Sequence, residues 1–189
     1  MTLEERRKLL AGLLGDADEG VRAAAAGSLE QLESFLDLGQ ILAALKAEKR
    51  GVRVKAIFAM EKINSPDVFP PLIELLKDAD PDIRAAVVQV LGAKAHPKSL
   101  TSLVRHLKDP APAVRVHTAE ALGRFADPRL VPYLAAMLQD ADEQLVIGAA
   151  RSLGALGTVD AAEPLAGLLR DARASVRQAA AEALGNVPL

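Results

Sequence analysis

"VRVHTAEALGRF" (114–125) and "VRQAAAEALGNV" (176–187) are near copies of one another, small and apolar residues set at helical spacing. Related strings begin at Val21, Val52, Ile83 and Leu145, so six copies follow one another at an unbroken period of 31 residues. A fixed period of this size signals an array that grows by stacking rather than around one central core. Framed at 3–33, 34–64, 65–95, 96–126, 127–157 and 158–188, the repeats fill nearly all of the 189 residues, and a single domain over 1–189 is expected.

Each repeat divides in two. In the first half Leu14, Leu45, Leu76, Leu107, Leu138 and Leu169 align, four residues after Leu10, Ile41, Leu72, Leu103, Leu134 and Leu165. That spacing puts both columns on one helical face. In the second half the apolar stripe is Val21, Ala25 and Leu29 and their equivalents, for example Val114, Thr118 and Leu122. The expectation is two amphipathic helices per repeat, twelve in six antiparallel pairs, with the aligned leucines buried.

The punctuation points the same way. Asp18, Asp80 and Asp142 stand just before the second helix as N-caps. Gly92, Gly123, Gly154 and Gly185 recur where that helix is expected to end. Pro70, Pro132 and Pro164 fall inside the first helix, where a missing N–H is expected to bend it. The second repeat lacks both signals, with Lys49 and Glu61 in those columns, and Thr2 with Glu5 has capping-box spacing at the start of the chain.

Half the residues are hydrophobic but only 3% are aromatic, and the apolar content is mostly Ala, Leu and Val, which suits closely approaching helices in an all-α fold. There is no cysteine, hence no disulfide framework, and a reducing, cytoplasmic setting is expected. The formal charge is −2 and no apolar run is long enough for a membrane span, which disfavours a general nucleic-acid binder and a membrane protein.

These columns resemble HEAT repeats, in particular the short HEAT-like type associated with phycobilisome lyases, whose pattern runs roughly D-x-D-P-x-V-R-x-A-A-A-x-A-L-G. "DADPDIRAAVVQVLG" (78–92) and "DARASVRQAAAEALG" (171–185) follow it closely. The resemblance implies an α-solenoid, an alpha-alpha superhelix of six two-helix repeats. It also implies a ladder in which an Asp ending the first helix pairs with the Arg six residues on, and Asp16/Arg22, Asp78/Arg84, Asp109/Arg115 and Asp171/Arg177 fit. Ala47 stands in the acid column before Arg53, and Val146 in the base column after Asp140. A bilin lyase or chaperone-like subunit is the functional alternative that the resemblance suggests.

Motifs for chemistry are scarce. The chain contains no Walker loop, dinucleotide fingerprint, H-E-x-x-H or nucleophile elbow, so no catalytic residue, cofactor or metal is expected. "DADPDI" (78–83) opens like a calcium loop, but Ile83 replaces the required Gly and Gln89 the closing Glu, so it reads as cap and ladder. His106 sits in an inward column and His96 in a turn. His117 shares a face with Glu120 and Arg124, a combination that reads as a solvated cluster before it reads as a metal site. Deoxyhypusine hydroxylase has similar repeats with iron on His-Glu dipeptides, and no such dipeptide occurs here.

In proteins of this type the second helices line the concave side, and the face opposite the Val-Ala-Leu stripe is the expected partner surface. The second repeat stands out there, with Phe58 between Lys55 and Lys62 and with Arg53 at the helix start. It carries six basic against three acidic residues, +3, between a first repeat at −3 and a third at −2. A basic band between acidic ones suits an acidic peptide or protein partner and rejects a long polyanion. The expected function is a non-catalytic interaction scaffold whose contact centres on Arg53, Lys55, Phe58 and Lys62 and extends over His117, Glu120, Arg124 and Arg151. A nucleic acid is the less favoured ligand. At the last repeat, Ala181 and Leu184 are expected to be partly exposed and to support weak self-association.

Overall fold

The computed structural model describes residues 1–188, the side chains of residues 34–37 aside. The described residues form eleven α-helices joined by turns and short 3₁₀ segments, with no β-strand among them. They fall into two compact units, Met1–Val68 and Phe69–Leu189.

In the first unit α1 (Leu3–Gly12) leads through a 3₁₀ turn to α2 (Glu19–Ala44), followed by α3 (Arg50–Lys62) and a 3₁₀ turn at Pro66–Val68. The capping box forms at Thr2 and Glu5, and Asp18 caps α2 by accepting from the Val21 N–H. The departure from expectation is α2. Its 26 residues cross the boundary at 33/34 without a break, joining what the period reads as the second helix of one repeat and the first of the next. The cause is visible in "EQLESFLDLGQILAA" (30–44), which is rich in helix formers and holds no proline, whereas Pro66, Pro97 and Pro128 interrupt the next three boundaries and the left-handed Gly157 the last. As α2 does not fold back, α1 packs chiefly on α2, and Leu14 is left 45% exposed although Leu45, Leu76, Leu107 and Leu138 in its column are buried.

The second unit comprises α4 (Phe69–Leu75), α5 (Pro81–Lys94), α6 (Pro97–His106), α7 (Pro112–Leu122), α8 (Val131–Ala135), α9 (Glu143–Leu156), α10 (Ala162–Leu168) and α11 (Ala174–Leu184). Its core is the expected one. Leu72, Leu103, Leu134 and Leu165 are fully buried, as are Ile83, Val114, Leu145 and Val176, each contributing about 1.5–3 kcal/mol by removal from water. In the last repeat Leu169 is 42% exposed, Ala181 is exposed and Leu184 half-buried.

The second helices α5, α7, α9 and α11 pack one on the next, and here the glycine column finds its reason. A Cβ on Gly92 would stand 2.5 Å from Ala121 Cβ, one on Gly123 2.6 Å from Ser152 Oγ, and one on Gly154 2.7 Å from Ala183 Cα. Each glycine therefore meets the residue 29 positions on, and its missing side chain lets two helices touch. The left-handed residue expected there lies three positions later, at Ala95 (φ 43°), Ala126 (φ 48°) and Gly157 (φ 58°). Gly92 and Gly154 lie inside their helices, and Gly123 and Gly185 end theirs in right-handed conformation.

The prolines are displaced from the helix interior as well. Pro70, Pro132 and Pro164 occupy the first turn of α4, α8 and α10, where no intrahelical N–H bond is lost. Each of these helices is preceded by a 3₁₀ turn, Pro66–Val68 before α4, Pro128–Leu130 before α8 and Val159–Ala161 before α10.

The Asp–Arg ladder has a different wiring from the one implied by the six-residue spacing. Arg22, Arg84, Arg115 and Arg177 donate from Nη1 to the backbone carbonyls of Asp16, Asp78, Asp109 and Asp171. The carboxylates of Asp16, Asp78, Asp109, Asp140 and Asp171 instead accept the N–H two residues on, fixing the turn. Side chain meets side chain across the repeats, where Arg84 binds Asp109 with two hydrogen bonds of 2.8 Å. In the sixth repeat that arginine would come from the column of Val146, and Arg173 replaces it, gripping Asp171 from Nε and Nη2 and reaching Asp140 O at 3.5 Å.

Candidate functional site

The helix α3 buries Ala56, Ile57 and Met60 and turns Lys55, Phe58 and Lys62 outward, three and four residues apart on one face. Against this face stand Gln40 and Ile41 of α2. Together with Ala59 and Ile63 these residues line a groove of about 430 Å³ in which Ile41, Phe58, Ala59 and Ile63 are apolar, Lys55 and Lys62 cationic, and no carboxylate is present. Phe58 keeps 38% of its surface exposed, so it belongs to the groove and not to the core.

The start of α3 is electrostatically unusual. Its N-cap, Lys49, makes no side-chain hydrogen bond to the helix, and the first turn carries Arg50 and Arg53 with no acid. Cations at this positive end of the helix dipole cost stability and add to the positive potential. Arg53 is half-buried and donates from Nε to the Leu45 carbonyl at 3.1 Å. It thus ties the end of α2 to α3 and does not line the groove.

The four remaining predicted site residues lie in the second unit. His117 Nδ1 and Glu120 Oε2 are 3.3 Å apart on α7, with His117 half-buried and Glu120 exposed. Arg124, just after α7, and Arg151, on α9, are both exposed. The other histidines have structural partners. His96 caps α6 by accepting the Lys98 N–H and stacks on Phe69 with ring centroids 4.3 Å apart, and His106 lies within hydrogen-bond distance of the Ser102 and Leu76 carbonyls. In "DADPDI" Asp78 and Asp80 accept the N–H groups of Asp80 and Asp82, the work of a capped turn. Among the described residues no group of three or more His, Asp or Glu side chains is placed to hold a metal ion, and no helix is long and apolar enough to cross a membrane.

Gln40, Ile41 and Ile63 are groove residues that the repeat pattern does not single out, because two come from the facing helix and Ile41 falls in a column that is buried throughout the second unit. Their signal in the sequence is the second repeat's own departure from consensus.

The model for HEAT repeats matches residues 38–113 and 103–185. Among solved structures, the complex of CpcE and CpcF of phycocyanin lyase from Nostoc sp. PCC7120 matches at TM-score 0.68 and 22% identity, over 79% of this chain and 98% of that one. A designed armadillo repeat protein in complex with peptide (KR)4 matches at TM-score 0.64 and 17% identity, over 100% of both chains. An engineered protein matches at TM-score 0.57 and 22% identity, over 98% of this chain and 96% of that one. At these identities the likeness is one of fold. No match was found among curated protein sequences.

Proposed function

The chain belongs to the HEAT-repeat family, and on that premise we propose that it is a non-catalytic scaffold that binds a protein partner by an acidic segment seated in the α2–α3 groove. The observation that carries this reading is Phe58, exposed between Lys55 and Lys62 in a groove lined by no carboxylate. Aromatic side chains bury much area while losing little freedom, and they dominate interface energetics when cations beside them steer an opposite charge. The acidic first and third repeats on either side in sequence disfavour a long polyanion and leave room for a short acidic stretch. In the same columns of the second unit, Arg124 and Arg151 offer further exposed cations.

The test is titration of the intact chain with dye-labelled glutamate-rich peptides bearing one leucine, read by fluorescence anisotropy. Phe58→Ala is expected to melt as wild type and to weaken binding by about 2 kcal/mol or more. Lys55→Ala is expected to slow association and flatten the salt dependence. Wild-type affinity in Phe58→Ala overturns the assignment. So does tighter, steeply salt-dependent binding of an oligonucleotide, or a red-shifted absorbance on adding a bilin.

A further inference from the structure

A second groove, in the other unit and independent of the one above, lies where α6 and α8 scarcely touch. The break of the fifth repeat's first helix into a 3₁₀ turn, the five-residue α8 and a second 3₁₀ turn at Ala136–Gln139 leaves a cleft of about 580 Å³ beside α6. Its apolar lining includes Leu100 and Val104 of α6, Phe125 and Tyr133. Tyr133 is 50% exposed, a large aromatic left in water on a chain that has only one tyrosine and no tryptophan.

The charge around it is net positive, two arginines against one aspartate. At the rim Arg129 holds Asp127 through Nε and Nη2, which neutralises the carboxylate lining the cleft. Arg105 lines the cleft from α6, is exposed, and makes no ion pair among the described residues. The helix α6 contains Lys98, Arg105 and His106 and no acid, and the fourth repeat (96–126) carries five basic against two acidic residues. Two left-handed alanines border the cleft: Ala95 lines it, and Ala126 sits between the lining residues Phe125 and Asp127.

We propose that this cleft is a second docking site, on the first-helix side of the second unit, for a linear segment of a protein partner that places an apolar side chain between Phe125 and Tyr133 and a carboxylate on Arg105. Tyrosine and arginine are among the residue types that carry most interface binding energy, phenylalanine is enriched at interfaces, and a free guanidinium offers a carboxylate two parallel hydrogen bonds. Two separate basic grooves on one chain fit a scaffold that holds two acidic segments at once.

Tyr133 supplies the assay, since excitation of tyrosine in this chain reports on that residue alone. The probe is a blocked decapeptide with a tryptophan–leucine pair flanked by glutamates, and the signal is energy transfer from Tyr133 to the tryptophan. Saturable transfer is expected, at least tenfold weaker when lysines replace the glutamates. Arg105→Glu is expected to abolish the preference for the acidic peptide, and Thr101→Arg, at an exposed lining position, to block entry, both with unchanged melting. Phe58→Ala keeps the transfer intact, which separates this site from the α2–α3 groove. No saturable transfer, equal transfer to the lysine peptide, wild-type behaviour in Arg105→Glu, or loss of transfer in Phe58→Ala overturns the proposal.

Discussion

The guanidinium of Arg84 and the carboxylate of Asp109 meet across a repeat boundary in two parallel 2.8 Å hydrogen bonds, with Asp109 buried and little of Arg84 exposed. Asp109 also accepts the Ala111 N–H at 2.8 Å, so one carboxylate fixes a turn and joins two repeats. Removing one partner of such a buried pair strands the other charge. Asp109→Ala is expected to cost about 3 kcal/mol or more, measured by urea unfolding, whereas Asp127→Ala, whose Arg129 partner is exposed, is expected to change stability far less.

The Asp109–Arg84 and Asp171–Arg173 pairs are expected to set the acid limit of the fold. Burial pushes Asp109 up, but the Arg84 hydrogen bond, the Ala111 N–H and the nearby positive charges outweigh it, and its pKa lies below the ordinary 3.8. Asp171 is brought down to about 2 by its hydrogen bonds from the Arg173 side chain and backbone. A carboxyl whose folded value is depressed contributes stability that is complete above its unfolded value and is lost as pH falls through the folded one. The melting temperature is expected to hold between about pH 7 and 5 and to fall below about pH 4. In Arg173→Ala the acid-side fall is expected to be shallower, since Asp171 no longer has its partner; an equally steep fall counts against the assignment.

Glycines of the close-approach column are expected to be intolerant where a helical glycine with open space around it is not. Gly123→Ala drives a methyl to within 2.9 Å of Ser152 Cα and is expected to cost about 2–3 kcal/mol. Gly39→Ala, inside α2 with nothing within 4 Å, is expected to stabilise by about 0.5–1 kcal/mol. Thermal melts of the two single variants check the contrast.

Ala95→Gly and Ala126→Gly are expected to act in the opposite sense, each stabilising by about 1 kcal/mol because glycine occupies the left-handed region freely. Loss of stability in both by denaturant titration would show that the alanine methyl groups matter more than the backbone strain.

The leucine column is expected to divide by position. Leu76→Ala and Leu107→Ala, both buried, are expected to cost about 2–5 kcal/mol, and Leu14→Ala and Leu169→Ala much less because each already faces water. Equal losses at all four positions would mean that the terminal leucines are covered in solution.

Periodicity makes the helices and the core columns legible without coordinates, since each rests on a local pattern repeated six times, and the Asp caps are legible in the three repeats that have them. Three features needed the structure. The continuity of α2 is signalled only by missing stop residues between 30 and 44, and a helix pattern says little about where two segments merge. The glycine column has two possible reasons, chain reversal or close contact, and only the position of Ala121, Ser152 and Ala183 decides between them. Lys55, Phe58 and Lys62 are legible as one face of α3, but Gln40 and Ile41 come from across the hairpin, where no spacing rule reaches.

The 29-residue step from each close-approach glycine to its partner also bears on how such a chain changes its length over evolution. An unequal crossover that removes 31 residues, such as 96–126, would set Gly92 against Ser152 and Arg84 against Asp140, again a glycine on a small residue and a guanidinium on an acid. Copy number in the second unit is therefore free to drift by whole repeats, while a one-residue insertion within a repeat throws both contacts out of register.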